Sequence, residues 1–536
     1  MNRRNFVKSG SLAGLSIVTF SIASCEQNDS KSKESGQSTG EFELQEITID
    51  ELQKKMQSGE YTAKSITQMY LDRIAKIDED GPTLNSIIEL NPDALKIAES
   101  LDAERKNGKV RGKMHGIPVL IKDNIDTADK MMTTAGSIAL EGNIASTDAF
   151  IVQQLRKAGA VILGKTNLSE WANFRSSRSS SGWSSRGGQT KNPYVLDRSP
   201  CGSSSGSGAA VAANLCAVAV GTETNGSIAC PASMNAVVGI KPTVGLLSRS
   251  GIIPISATQD TAGPLTRTVT DAAILLSALA GIDTNDKITE QSMGKENIDY
   301  TKFLDGNGLK GKRIGVEKSF LKKHEGIDSL LAKAIEHMKK QGAEIVEIDY
   351  IKFDETDGAE GDVLEFEFKD GINKYLSTSN AKVKSLEQLI AFNKANEAKA
   401  MPIFKQEILE SAAARGDLKS KEYLTALAKI INVRKLIDNE LEKNNLNTLC
   451  GPATGPSWCI DSVNGDFWTG YGGYGPAALA GYPSVTVPMG NVTEIPVGLS
   501  FLGKAYSEPE LIAIAFAYEQ ASKERTVPKF VKSLNS

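Results

Sequence analysis

Residues 200–231 read PCGSSSGSGAAVAANLCAVAVGTETNGSIACP. Glycine and serine crowd into this stretch twice, at 202–208 and at 225–227. A Gly/Ser run alone reads as a flexible linker. A linker would not enclose what lies between the two clusters. The small residues of 207–215 predict a buried helix, and the apolar run 217–220 predicts a strand. The stretch therefore reads as turn, helix, strand, turn. Two such turns flanking a buried unit can place two hydroxyls in one pocket. Glycine lets the backbone take tight or left-handed conformations there. It also leaves backbone N–H groups free to face a ligand.

The alternation continues outward. Leu52, Met56, Ile66, Met69, Leu71 and Ile74 recur at helical spacing, broken at Ser58-Gly59, and predict two helices over 47–76. Residues 92–106 and 150–158 predict further helices; 117–121 and 160–163 predict short buried strands. Residues 313–350 repeat strand, helix, strand. Residues 366–442 are helical and charged and predict a cap or outer layer without a site of its own. Residues 451–502 return to Gly, Pro and short apolar runs. This pattern predicts an α/β fold: one large α/β/α domain over 42–536, with a central mixed, mostly parallel twisted sheet covered by helices.

The 536 residues are 40% hydrophobic, ample for a large core. The formal net charge is −4 and no basic stripe is present, which argues against a nucleic-acid partner. His115, His324 and His337 show no zinc spacing and there is no CxxC pair, so no metal site is expected.

The N-terminus, MNRRNFVK, carries three positive charges and precedes an apolar run over 10–20. Ser21-Ile-Ala-Ser-Cys25 follows. This predicts an export signal over 1–24, resembling a twin-arginine signal, with Cys25 in a lipobox-like setting. Residues 25–41 are polar and aromatic-free, suited to a lipid-anchored tether. The expected location is periplasmic or on the outer membrane of a bacterium, with Cys25 as the sole membrane attachment. Removing the signal takes Arg3, Arg4 and Lys8 with it and shifts the formal charge to −7. Of the remaining cysteines, Cys201, Cys216 and Cys230 are expected as buried free thiols. Cys450 and Cys459 could pair in an oxidising compartment.

A serine nucleophile needs a base. His324 and His337 lie in charged, surface-like text, and nothing pairs His115 with an orienting acid. Lys122 directly follows the apolar run 117–121. Desolvation at the end of a buried strand lowers a lysine pKa, and a neutral amine can accept a proton near pH 7.

Several motifs occur together: HGIPVLIKDN, CGSSSGSGAA, GTETNGSIACPA, GIKPTVGLLSR and AGYPSVTVPMG with PVGLSFLG. They resemble the amidase signature family over most of 42–525, most densely over 112–270. The wording is nearest to the family's bacterial peptide amidases. The resemblance implies amide hydrolysis by a Ser–cis-Ser–Lys triad with no cofactor. It implies Ser227 as nucleophile, Ser203 as bridging serine 24 residues earlier, and Lys122 as base. Backbone N–H groups of Thr224, Asn225, Gly226 and Ser227 match the oxyanion hole, and Ser204 matches a supporting hydrogen-bond partner. The expected substrate is a small-molecule or peptide amide, such as a C-terminal peptide amide, with no obligate protein partner. Many family members carry arginine where Ala229 stands. Its absence removes a cation near the pocket and should disfavour free-carboxylate substrates such as glutamine. Trp458, Phe467, Trp468, Tyr471 and Tyr474 could line the acyl pocket or pack as core.

Three rivals are weaker. Residues 159–166 fit the P-loop pattern GxxxxGK[ST], but its variable positions are Ala, Val, Ile and Leu, which read as strand rather than phosphate loop. Ser319 with Lys322, and Ser292 with Lys295, fit SxxK, yet no KTG or SDN follows in order. A peptide-binding surface lipoprotein on the same fold would not need all three catalytic side chains.

Overall fold

Short apolar runs bounded by turns build the strands of the computed structural model, which describes residues 42–295, 298–349, 356 and 358–534. The expected export signal, Cys25 and tether lie outside the described residues. Among these residues, eleven strands form one sheet. In chain order they are β1 Ile87–Leu90, β2 Pro118–Lys122, β3 Val161–Thr166, β4 Val218–Glu223, β5 Val238–Lys241 and β6 Thr261–Thr266. There follow β7 Arg313–Glu317, β8 Glu344–Ile348, β9 Thr448–Pro452, β10 Ser484–Val492 and β11 Ile495–Leu502. Their order across the sheet is β1-β3-β2-β4-β6-β5-β10-β11-β9-β7-β8.

The sheet is mixed, as expected, but parallel pairing does not predominate. Four pairings are parallel and six antiparallel. Continuous apolar runs report burial on both faces, not strand direction. Direction follows from the connections. Only Thr493 and Glu494 join β10 to β11, and a link so short permits only an antiparallel pair.

Helices Ser205–Ala212, Ala229–Met234, Val269–Leu279 and Glu508–Ser522 pack onto the strands. All eight residues of Ser205–Ala212 are buried. Small residues make that approach possible: a Cβ on Gly206 would collide with the carbonyl oxygens of Ser86 and Asn167. The predicted helix pair at the start is present as Ile49–Ser58 and Ala63–Ile74, separated at Gly59 in the left-handed conformation. Contacts gather Leu44–Ser536 into one compact unit.

Candidate active site

Parallel pairing of β2 with β3 and β4 sets three carboxyl ends side by side. That edge is where open α/β sheets bind ligands. Lys122 is the last residue of β2 and is fully buried. Its Nζ lies 2.8 Å from Ser203 Oγ, 2.9 Å from Thr222 Oγ1 and 3.2 Å from the Thr222 carbonyl oxygen. Asn124 Nδ2 donates to the same Thr222 Oγ1 at 3.0 Å. Burial pulls Lys122 from the ordinary 10.5 down to about 7, against the opposing attraction of Asp260 and Glu223.

The serine turn precedes helix Ser205–Ala212, and a cis peptide bond joins Gly202 to Ser203. Ser204 fastens the turn in place. Its hydroxyl donates to the Thr222 carbonyl at 3.0 Å and accepts from the Thr222 N–H at 3.2 Å. Its own N–H donates to the Ser227 carbonyl at 3.2 Å, linking the two turns directly.

The second turn runs from the end of β4 into helix Ala229–Met234. Gly226 sits there at φ +81°, and a Cβ on it would collide with the Tyr474 hydroxyl. Glu223 holds the turn from behind by accepting from the N–H groups of Ile228 at 2.7 Å and Ala229 at 3.0 Å. Thr224 donates its hydroxyl to Asp260 at 2.6 Å. Burial pushes Asp260 up to about 6, against the hydrogen bonds it accepts from Thr224, Ile255 and Ser256. Among the described residues, none of the N–H groups of Asn225, Gly226 and Ser227 donates to a backbone carbonyl. Ser203, Ser227 and this turn line one cavity of about 230 Å³, together with Leu364, Trp458, Asp466, Trp468 and Tyr474.

One cysteine expectation is overturned. Cys201 and Cys230 are not free thiols but form a disulfide in the cavity wall. The turn–helix–strand–turn unit brings the two together across 29 residues. Cys216 is buried and free, as expected, while Cys450 and Cys459 remain unpaired. Of the five aromatics considered, Trp458, Trp468 and Tyr474 line the cavity. Phe467 is exposed, and Tyr471 stacks on Phe320 instead. His115 precedes β2, at the opposite end from Lys122, where its Nε2 lies 3.0 Å from the Leu101 carbonyl oxygen. Residues 161–166 of the P-loop pattern are strand, and Lys165 is buried with its Nζ on the Ile125 carbonyl and Thr133 hydroxyl.

Helix Ala359–Thr378, which begins ahead of the charged segment 366–442, reaches the site. Glu360 accepts from Asn225 Nδ2 at 2.7 Å, and Leu364 reaches the cavity. Both residues fall just before the charged segment, and nothing local in the sequence signals their approach. Asp260 closes the run GIIPISATQD at 251–260, which gives it no role by itself. Asp466 stands in a Gly-rich stretch between two tryptophans with no motif around it.

The amidase family model matches residues 65–512. The chain belongs to the amidase family. It is a hydrolase acting on amide bonds. This amidase is 43% identical over 504 residues to a probable amidase of Arabidopsis thaliana, spanning 91% of this chain and 93% of that protein. It superposes on the peptide amidase of Stenotrophomonas maltophilia with a TM-score of 0.88 at 49% identity, covering 91% of this chain and 100% of that one. An amidase family protein from Bacillus anthracis superposes with a TM-score of 0.82 at 40% identity, covering 90% of this chain and 92% of that one.

Proposed function

We propose that this amidase cleaves the carboxamide at the C-terminus of peptides, or of similar acyl amides, through a Lys122–Ser203–Ser227 relay and an acyl-enzyme. The surroundings of Lys122 carry this reading. A neutral amine has two N–H bonds and one lone pair. The Thr222 carbonyl and hydroxyl oxygens, at 3.2 and 2.9 Å, account for both N–H bonds, which leaves the lone pair for Ser203 Oγ at 2.8 Å. Burial supplies the neutral form near pH 7.

In the proposed reaction, Lys122 takes the Ser203 proton while Ser203 takes that of Ser227. Ser227 Oγ attacks the carboxamide carbon. The oxyanion meets the N–H groups of the 224–227 turn, where one such donor contributes about 3–4 kcal/mol. The relay then protonates the departing nitrogen, and the C–N bond breaks to leave an acyl ester on Ser227. Water, deprotonated by the same relay, hydrolyses the ester and restores Ser227.

Two observations favour peptide amides over free glutamine. No lysine, arginine or histidine lines the cavity among the described residues. Ala229 is packed against Ala453 and Tyr474 where a pocket arginine could otherwise stand. The likeness to a peptide amidase supports the same substrate class. The test is ammonia release from a panel of peptide amides, N-acyl amides and glutamine. Turnover of blocked peptide amides is expected; turnover of glutamine alone would refute the reading.

The N-terminal residues support an exported protein anchored through Cys25, and a disulfide suits an oxidising compartment. Metabolic palmitate labelling that disappears in Cys25→Ser would support the anchor; unlabelled wild-type protein would refute it.

A further inference from the structure

Among the described residues, the cavity is lined by one carboxylate, Asp466, and the proposed relay does not use it. Asp466 lines the wall and accepts from the Ser181 N–H at 3.0 Å, the Ser181 hydroxyl at 2.5 Å and Trp458 Nε1 at 2.9 Å. All three donors are neutral. A carboxylate offers about four acceptor sites, so capacity remains. Burial raises the Asp466 pKa, and the three hydrogen bonds only partly oppose this. Asp466 is half-buried, and shielding a carboxylate even partly from water without a counter-charge is unfavourable; a cation brought beside it relieves that cost.

The wider field has the same sign. Three further carboxylates stand one hydrogen bond behind the cavity's turn. Glu360 accepts from Asn225, Asp260 from Thr224, and Glu223 from the N–H groups just after Ser227. Of the cations near Asp260, Lys122 is neutral in the proposed relay, and Arg249 is itself engaged by Asp286 through both Nε and Nη2. Trp458 and Trp468 meet edge to face beside Asp466, with ring centres 6.1 Å apart. Indole faces also attract cations.

We propose that Asp466 and the adjoining tryptophan pair form a recognition site for a cationic group, ammonium or guanidinium, on the acyl part of the substrate. The inference rests on the amide-hydrolase reading given above. It makes amides with a positively charged acyl part better substrates than neutral amides of similar size, and acidic ones poorer. Two sources could supply the cation: the side chain of the terminal residue or a free α-amine. Acetyl-arginine amide against acetyl-leucine amide reads the first, and leucine amide against acetyl-leucine amide reads the second.

The experiment measures kcat/KM for these three amides and acetyl-glutamate amide, in wild type and Asp466→Asn. At least one cationic amide should exceed acetyl-leucine amide by tenfold or more in wild type. Asp466→Asn should shrink that ratio about tenfold, whatever it does to the absolute rates. A ratio near one in wild type overturns the proposal while leaving the amide-hydrolase reading intact. So does a fall of all rates in equal proportion in Asp466→Asn, which marks a role limited to holding Ser181 and Trp458. Should Asp466→Asn fail to fold, the wild-type ratio and its loss in Asp466→Ser decide. Failure to turn over any amide overturns the substrate reading and this proposal with it.

Discussion

Cys201 and Cys230 are joined by a disulfide that closes a loop from two residues before Ser203 to three residues after Ser227. The bond therefore ties together the two turns whose hydroxyls align in the proposed relay. It adds a covalent link to the Ser204 N–H bond on the Ser227 carbonyl.

Reduction should accordingly lower both stability and rate. Closing a loop of 29 residues contributes about 3–4 kcal/mol in the chain-entropy account. Tm and ammonia release measured with and without a thiol reductant should both fall on reduction. The Cys201→Ser/Cys230→Ser double variant should start lower and no longer respond to reductant. A wild-type rate indifferent to reductant would show that the bond is dispensable for alignment.

In the proposed relay, Lys122 sets the pH dependence. The relay needs its neutral form, so kcat/KM should rise with pH and level off above about 7. The same depression has a cost in stability. Between about 7 and the ordinary 10.5, the unfolded chain holds a proton at Lys122 that the folded chain lacks. Lys122 thus contributes a stability that increases with pH across that window and is weakest below it. Lys122→Met should lose about 10³-fold or more in rate yet raise Tm at pH 7. An alkaline-only activity with an inflection near 10 would contradict the buried, neutral lysine.

Gly226 makes a third case. Its left-handed φ and the Tyr474 hydroxyl both exclude a side chain. Gly226→Ala should displace the turn that carries Ser227 and lower kcat/KM about 100-fold, while thermal unfolding remains cooperative. Unchanged kinetics would mean that the turn's N–H groups do not act in the reaction.

Ser204 can be separated from Ser203 by the same measurements. Ser204 bonds the backbone of Thr222 from both sides, whereas Ser203 faces Lys122. Ser204→Ala should lower Tm and reduce kcat modestly, about tenfold. Ser203→Ala should reduce kcat far more with little change in Tm. The reverse ranking would exchange their assigned parts.

Much of this architecture is legible in the sequence because it is local. The apolar run before Lys122 implies a buried strand, and a lysine at its end must be desolvated. The two Gly/Ser turns around a helix and strand imply hydroxyls brought together. What is not legible depends on distant chain. Cys201 and Cys230 meet only because the unit between them folds back on itself. Glu360 and Leu364 arrive from a segment more than 130 residues beyond Asn225, with no sequence mark of the approach. The antiparallel half of the sheet escapes because burial patterns carry no direction, while the two-residue link at Thr493-Glu494 does.

Everything proposed for the reaction turns on Ser227 as the nucleophile, activated through Ser203 by Lys122. Intact-protein and peptide mass spectrometry after treatment with a fluorophosphonate puts that assignment to the test. One adduct is expected, on Ser227, absent in Ser227→Ala and formed at least 100-fold more slowly in Lys122→Ala. An adduct on another residue, or ammonia release that persists in Ser227→Ala, would contradict it.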